Sequence, residues 1–175
     1  MKEKIIYTKE MIAERVKEIG KSITKEYTSN KEELVLVCVL YGAVLFFSDL
    51  IRNIDLPITI DFVRAESYGP RMKSSGVVNI TKDIENNITN KQVILVEDII
   101  DSGLTITNLI EHFEQKNPDS IQICSLINKT ERRDIPIDID YSGFKLKEGF
   151  VVGYGLDYNQ KMRNLADIYL IEEED

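Results

Sequence analysis

The stretch VILVEDIIDSGLT, residues 93–105, sets three carboxylates beside a small-residue turn. Glu97 and Asp98 follow four apolar residues, and Asp101 comes three positions later, directly before Ser102-Gly103. A strand, a turn of small residues and a helix start form an anion cradle. The first N–H groups of a helix lack intrahelical acceptors, and the helix dipole favours negative charge there. Backbone N–H groups of Ser102, Gly103, Leu104 and Thr105 can wrap one phosphate, and the hydroxyls of Ser102 and Thr105 add donors. A triphosphate loop of the form GxxxxGK[ST] is excluded, because the stretch has no lysine and a single glycine. The carboxylates call for other partners. Glu97 and Asp98 suit sugar hydroxyls or the water shell of Mg2+. Asp101, inside the loop, is placed to act as a base. A phosphorylated sugar with free hydroxyls would use all three. The plainer alternative is an acidic turn with Ser102 as helix cap.

Other residues carry weaker signals. NKTERR, residues 128–133, groups Lys129, Arg132 and Arg133 in an acidic chain. Lys129 comes two positions after the end of an apolar run, Ile121–Ile127, and can donate to a carbonyl oxygen; a solvated basic turn is the alternative. Phe150 can stack on a flat base or fill a core. His112, the only histidine, lies about two turns into the helix after the cradle and receives no catalytic role.

The elements that must position these residues follow from periodicity. Thr8 is an N-cap, and Ile12, Val16, Ile19 and Ile23 recur at helical spacing to about Tyr27. Leu34–Leu40 is a Val-rich run with the length of a buried strand. Ala43–Arg52 reads as a helix with Val44, Leu45, Phe47 and Ile51 facing inward. Strands are expected at 58–64, 77–81, 93–96, 121–127 and 168–171, with a further apolar run at 150–154. A helix is expected at 105–116, with Leu109, Ile110 and Phe113 inward. The segment 67–76, SYGPRMKSSG, reads as a mobile loop. Strands alternating with helices imply an α/β fold with a mostly parallel sheet. Ligands bind such sheets at the carboxyl ends of the strands. The breaks at Tyr41-Gly42, 97–103, Lys129 and 153–157 all follow expected strands and so can share one edge.

Length and composition bound the function. One domain over residues 1–175 is expected, with room for a real core. The net charge of −8 counts against a free-standing nucleic-acid binder. Cys38 and Cys124 sit in apolar runs and read as buried, reduced thiols. No stretch has the length or hydropathy of a secretory or membrane-spanning segment, so a cytoplasmic protein without membrane or nucleic-acid partners is expected.

On these residues the chain resembles the type I phosphoribosyltransferases. VILVEDIIDSGLT is similar to their phosphoribosyl pyrophosphate (PRPP) signature. Its Glu-Asp pair, with LYGAVLFFSDL from residue 40 and FVVGYGLDYNQKMRNL over 150–165, resembles the hypoxanthine-guanine members. The resemblance implies a mostly parallel twisted sheet flanked by helices, with a small hood. It implies transfer of the 5-phosphoribosyl group from PRPP to N9 of hypoxanthine or guanine, giving IMP or GMP and pyrophosphate. Carried over residue by residue, Glu97 and Asp98 hold the ribose hydroxyls, and Asp101–Thr105 hold the 5-phosphate. Asp101 is the base at N7, Lys129 contacts O6, Phe150 stacks on the purine, and Val151 reads its edge through backbone groups. Asp157 lines the purine site and helps hold Mg2+, with Glu97 and Asp98 also at the metal. Arg163 binds pyrophosphate. Tyr41-Gly42 forms a pyrophosphate loop through its backbone; this chain has tyrosine where many members have a basic residue, so no side-chain role is carried over. Ser67-Tyr68 belongs to a lid. A homodimer or homotetramer is implied. Two competing functions are a PRPP-sensing regulator that binds nucleic acid, and transfer to xanthine or adenine. Lys129 counts against adenine, which carries an amino donor at that position.

Overall fold

Leu34–Leu40 is apolar along its whole length because both of its faces are covered. Val35, Val37 and Val39 pack on one side with Val93, Leu95, Ile106, Leu109 and Phe113. Leu36 and Cys38 pack on the other with Ile94 and Val96, beneath Ile12, Val16, Phe46 and Leu50. The two sides of one strand thus define the two helical layers. The computed structural model describes residues 2–67, 78–131 and 135–172.

In chain order the elements are β1 (Lys2–Tyr7), α1 (Lys9–Tyr27), β2 (Leu34–Leu40), α2 (Val44–Ile51), β3 (Thr59–Ser67), β4 (Val78–Lys82), β5 (Gln92–Ile100), α3 (Leu104–Glu114), β6 (Ser120–Lys129), β7 (Tyr141–Leu146), β8 (Phe150–Val152) and β9 (Ile168–Glu172). The main sheet runs β4-β3-β2-β5-β6-β7. Every neighbouring pair in it is parallel except β3–β4. A smaller antiparallel sheet, β1-β9-β8, forms the hood. Tyr7 of the hood stacks on Phe144 of β7 with centroids 4.0 Å apart. Arg15 of α1 donates to the carbonyls of Ser142 and Gly143 at 2.6 and 2.9 Å.

Local signals were read correctly where they were strong. Thr8 caps α1 by accepting from the Met11 N–H. Both cysteines are buried free thiols, and burial pushes Cys38 up to about 12. No helix among the described residues is long and apolar enough to cross a membrane.

The structure corrects several expectations. The inward stripe of α2 is Phe46, Phe47 and Leu50, whereas Val44 and Leu45 are exposed. The helix is apolar nearly all round, so its pattern could not select a face. Strand β5 does not stop at Val96 but continues through Glu97 and Asp98 to Ile100. Strand β6 likewise includes Lys129 as its last residue. In each case the ladder with a neighbouring strand outlasts the apolar run. Strands β1 and β7 carried no recognisable pattern. β1 leaves Ile5 exposed, and β7 contains Gly143, where an added Cβ would lie 2.3 Å from the Leu126 carbonyl oxygen. The proposed lid residue Tyr68 and the basic residues Arg132 and Arg133 fall outside the described residues, and Ser67 is described only as the last backbone position of β3.

Candidate active site

The parallel order brings the carboxyl ends of β2, β5 and β6 together, and the turn after β8 folds over them. Two glycines record how tightly. A Cβ on Gly42 would lie 1.7 Å from Asp98 Oδ2, and a Cβ on Gly155 would lie 2.0 Å from the Gly42 carbonyl oxygen. Residues 42, 98 and 155, far apart in sequence, are therefore in direct contact. The Leu40–Tyr41 peptide preceding Gly42 is cis.

The turn after β5 forms the expected cradle. Gly103 has φ 87°, a left-handed conformation that side-chain-bearing residues rarely adopt, and it caps α3. Ser102 Oγ accepts from the Leu104 N–H at 3.3 Å. Glu97, Asp101, Ser102, Gly103, Thr105 and Ile106 are among the residues lining a cavity of about 250 Å³ at the N-terminus of α3.

Asp98 meets the turn after β2 at Gly42, and Glu97 lines the cavity at the N-terminus of α3. Burial pushes the Glu97 carboxyl well up, and the charge of Asp98 adds to the rise. Burial raises Asp98 as well, against hydrogen bonds from Glu97 and the Ile99 N–H and the nearby charge of Arg163. The two carboxyls share a hydrogen bond, so one of them holds a proton. Glu97 Oε2 is buried without a hydrogen-bond partner. A buried, unsatisfied acceptor beside a second carboxyl is a place for a donor or a cation.

This pair has a measurable consequence. A carboxyl with a raised folded pKa contributes stability that is fully present below its unfolded pKa and is lost as pH rises through the folded pKa. The ligand-free protein is therefore expected to lose stability as pH rises from about 4, the ordinary carboxylate value. Glu97→Gln supplies an N–H in place of the shared proton. It is expected to flatten this slope and to raise stability at neutral pH by roughly 1–3 kcal/mol. Urea unfolding of both proteins at stepped pH checks it, and an unchanged slope in the variant would contradict the shared proton.

A second cavity, of about 370 Å³, adjoins the first and is lined by Asp98, Asp101, Lys129, Phe150, Val151 and Asp157 among others. Lys129 is 7% exposed, and its Nζ donates to Asp101 Oδ2 at 3.1 Å. Asp101 Oδ1 is buried without a partner. Phe150 is 47% exposed on the opposite wall, with the Tyr158 ring edge-on at 5.7 Å. The alternative of a core aromatic at Phe150 is thereby excluded. Val151 beside it is buried.

Asp157 is committed to Arg163, whose Nη2 lies 2.7 Å from its Oδ1, while Arg163 Nη1 donates to the Gly155 carbonyl at 2.7 Å. Among the described residues no three carboxylates or other ligating groups cluster as a metal site. The expected set of Glu97, Asp98 and Asp157 is thus not a ready-made cage: Glu97 and Asp98 are engaged with each other, and Asp157 is held by an arginine. One contact had no sequence signal. The Arg64 guanidinium carbon stands 4.7 Å from the centroid of the Tyr41 ring, which gives the Tyr41 side chain a neighbour of its own.

A phosphate cradle, paired carboxyls and an apolar-walled pocket ending in a lysine–aspartate pair now stand along one sheet edge. The model of the phosphoribosyl transferase domain matches residues 4–159. The chain belongs to this family. Phosphoribosyl transferase relatives cover it almost end to end. The hypoxanthine phosphoribosyltransferase of Buchnera aphidicola is 43% identical over 94% of this chain and 93% of its own. The hypoxanthine-guanine phosphoribosyltransferase of Aquifex aeolicus is 40% identical over 97% and 95%. Among solved phosphoribosyl transferase structures, a hypoxanthine-guanine phosphoribosyltransferase from Bacillus anthracis superposes with a TM-score of 0.90 at 42% identity, over 97% of this chain and 98% of that one.

Proposed function

We propose that this phosphoribosyl transferase moves the 5-phosphoribosyl group of PRPP to N9 of hypoxanthine or guanine, releasing pyrophosphate in purine salvage. The observation that carries the choice of base is the buried Lys129–Asp101 pair beneath Phe150. It sets a donor and an acceptor side by side. A 6-oxopurine offers the complement, an acceptor at O6 next to a protonated N7. Adenine offers an amino donor at position 6 and would leave the lysine unanswered, a costly mismatch in a buried site.

In this reading Phe150 stacks on the base and backbone groups of Val151 meet its edge. The cradle from Asp101 to Thr105 holds the 5-phosphate. Glu97 and Asp98 accept from the ribose hydroxyls, giving Glu97 Oε2 the donor that it lacks. Asp101 takes or shares the N7 proton as N9 becomes nucleophilic. The oxocarbenium-like transition state separates charge between sugar and leaving group. The backbone around Gly42 and the fork of Arg163 face the leaving pyrophosphate. The residues fit Mg2+ as this ion is usually bound, by one or two carboxylates together with substrate phosphates. Glu97, Asp98 and Asp157 would hold it, and it would supply charge neutralisation for pyrophosphate.

Pyrophosphate release with PRPP, Mg2+ and each of hypoxanthine, guanine, xanthine and adenine tests the proposal. Release with the first two and little with adenine is expected; release with adenine alone, or with no base, would overturn it. Lys129→Met is expected to lower kcat/KM for hypoxanthine by roughly 10–100-fold, the worth of one buried charged hydrogen bond. An unchanged kcat/KM would remove Lys129 from the base site.

A further inference from the structure

We infer that Tyr154 and Asp49 are positioning residues for the diphosphate half of this site, through a hydrogen bond that joins the turn after β8 to α2. The inference rests on the transferase reading above, in which the turns after β2 and β8 face the leaving pyrophosphate. The Tyr154 hydroxyl donates to Asp49 Oδ2 at 2.6 Å. Tyr154 stands between Gly153 and Gly155 in the turn after β8, and Asp49 lies on α2, which starts directly after the turn from Tyr41 to Ala43. The Tyr154 ring is 8% exposed and shares a core cluster with Ala43, Phe46, Leu50 and Leu156. Burial and the bond to Asp49 push the phenol up, so it keeps its proton and remains the donor. A hydrogen bond to a carboxylate is about twice as strong as one between neutral groups. The other Asp49 oxygen pairs with Arg52, one turn further along the chain.

The supports of this part of the chain differ between its base-binding and diphosphate-binding residues. Strand β8 is laddered to β9 through Phe150–Ile171, Val151–Leu170 and Val152–Tyr169, so Phe150 and Val151 are held without Tyr154. The turn beyond is closed on itself. Tyr154 N–H donates to the Leu165 carbonyl at 2.8 Å, Gly155 N–H to the Arg163 carbonyl at 2.9 Å, and Arg163 Nη1 back to the Gly155 carbonyl at 2.7 Å. These bonds fix Arg163 against residue 155 but not against residue 42. Gly155 meets Gly42 by van der Waals contact, which limits approach without setting direction. A hydrogen bond sets direction as well as distance. The Tyr154–Asp49 bond thus registers the Arg163 fork against the backbone around Gly42, and neither of its two side chains needs to touch the substrate.

Steady-state kinetics in both directions, with Mg2+, test the pair. Tyr154→Phe keeps the ring in the core and removes only the hydroxyl. KM for PRPP in the forward direction and for pyrophosphate in the reverse is expected to rise about 2–30-fold, the range for a residue that acts through others. KM for hypoxanthine at saturating PRPP is expected to stay within about twofold. Asp49→Ala is expected to repeat this split. Asp49→Asn keeps an acceptor for the phenol and gives up only the exposed pair with Arg52, which is worth little; all three constants are expected to stay within about twofold of wild type. Tyr154→Phe with Asp49→Ala is expected to be no worse than the worse single variant, because both remove the same bond. Should Tyr154→Phe fail to fold, Asp49→Ala against Asp49→Asn makes the same comparison. A bond that only stabilises the fold would lower the melting temperature and leave the constants unchanged, or raise all three together. Either result in folded variants, or additive losses in the double variant, would overturn the inference while leaving the transferase reading intact. A wild-type protein that transfers to no base would overturn both.

Discussion

Asp101→Asn is expected to lower kcat by about 10²–10⁴-fold, the range for removing a positioned general base. KM for PRPP should move far less. Asp101 is the first residue of the cradle, and its side chain lines the base pocket as well as the phosphate cavity. One of its oxygens takes the Lys129 ammonium at 3.1 Å, and the other is buried with no partner. An amide keeps the shape and can still accept from Lys129. It then presents an N–H where the reaction needs an acceptor, so the N7 proton has nowhere to go. The cradle is built from backbone N–H groups and hydroxyls, which the substitution leaves untouched. Initial rates at saturating PRPP and hypoxanthine read the effect, with a thermal melt as control for folding. Near-normal kcat in a folded variant would remove Asp101 from the base role.

Gly155→Ala is expected to destabilise the protein by about 2–4 kcal/mol and to weaken PRPP binding at least tenfold. Two costs combine. Gly155 has φ 100°, a conformation that an alanine adopts only with strain. Its new Cβ would also lie 2.0 Å from the Gly42 carbonyl oxygen, a backbone atom that cannot rotate aside. The turn after β8 must lift from the turn after β2, and the contact between residues 42, 98 and 155 opens. Arg163 moves with that turn, because it bonds the Gly155 carbonyl in one direction and receives the Gly155 N–H at its own carbonyl in the other. Urea unfolding and KM for PRPP measure the two effects. A variant with wild-type stability would show that the two turns are not packed as described.

Much of the candidate site was legible because its signals are local. The cradle needs only a strand, small residues and a helix start within thirteen residues, and VILVEDIIDSGLT supplies them in order. The same holds for β2, whose seven apolar residues report burial on both faces, and for the Thr8 cap of α1, which acts within one turn. The alternation of strands and helices was enough to place the ligand edge, since parallel strands must all end on one side.

What the tertiary structure alone decided depends on partners distant in sequence. β1 is a strand only because β9, some 160 residues later, pairs with it. The inward stripe of α2 was chosen by the sheet beneath, not by the helix's own apolar pattern. The chemistry of the carboxylates shifted for the same reason. Adjacent in sequence, Glu97 and Asp98 share a proton because segments around them exclude water. Asp157 and Arg163 hold each other, and Arg64 reaches Tyr41 from the neighbouring strand. Residue type and spacing determine which groups can bind a phosphorylated sugar and a base. Desolvation and cross-strand neighbours, which only the folded chain brings together, decide the charge each group carries and what it touches.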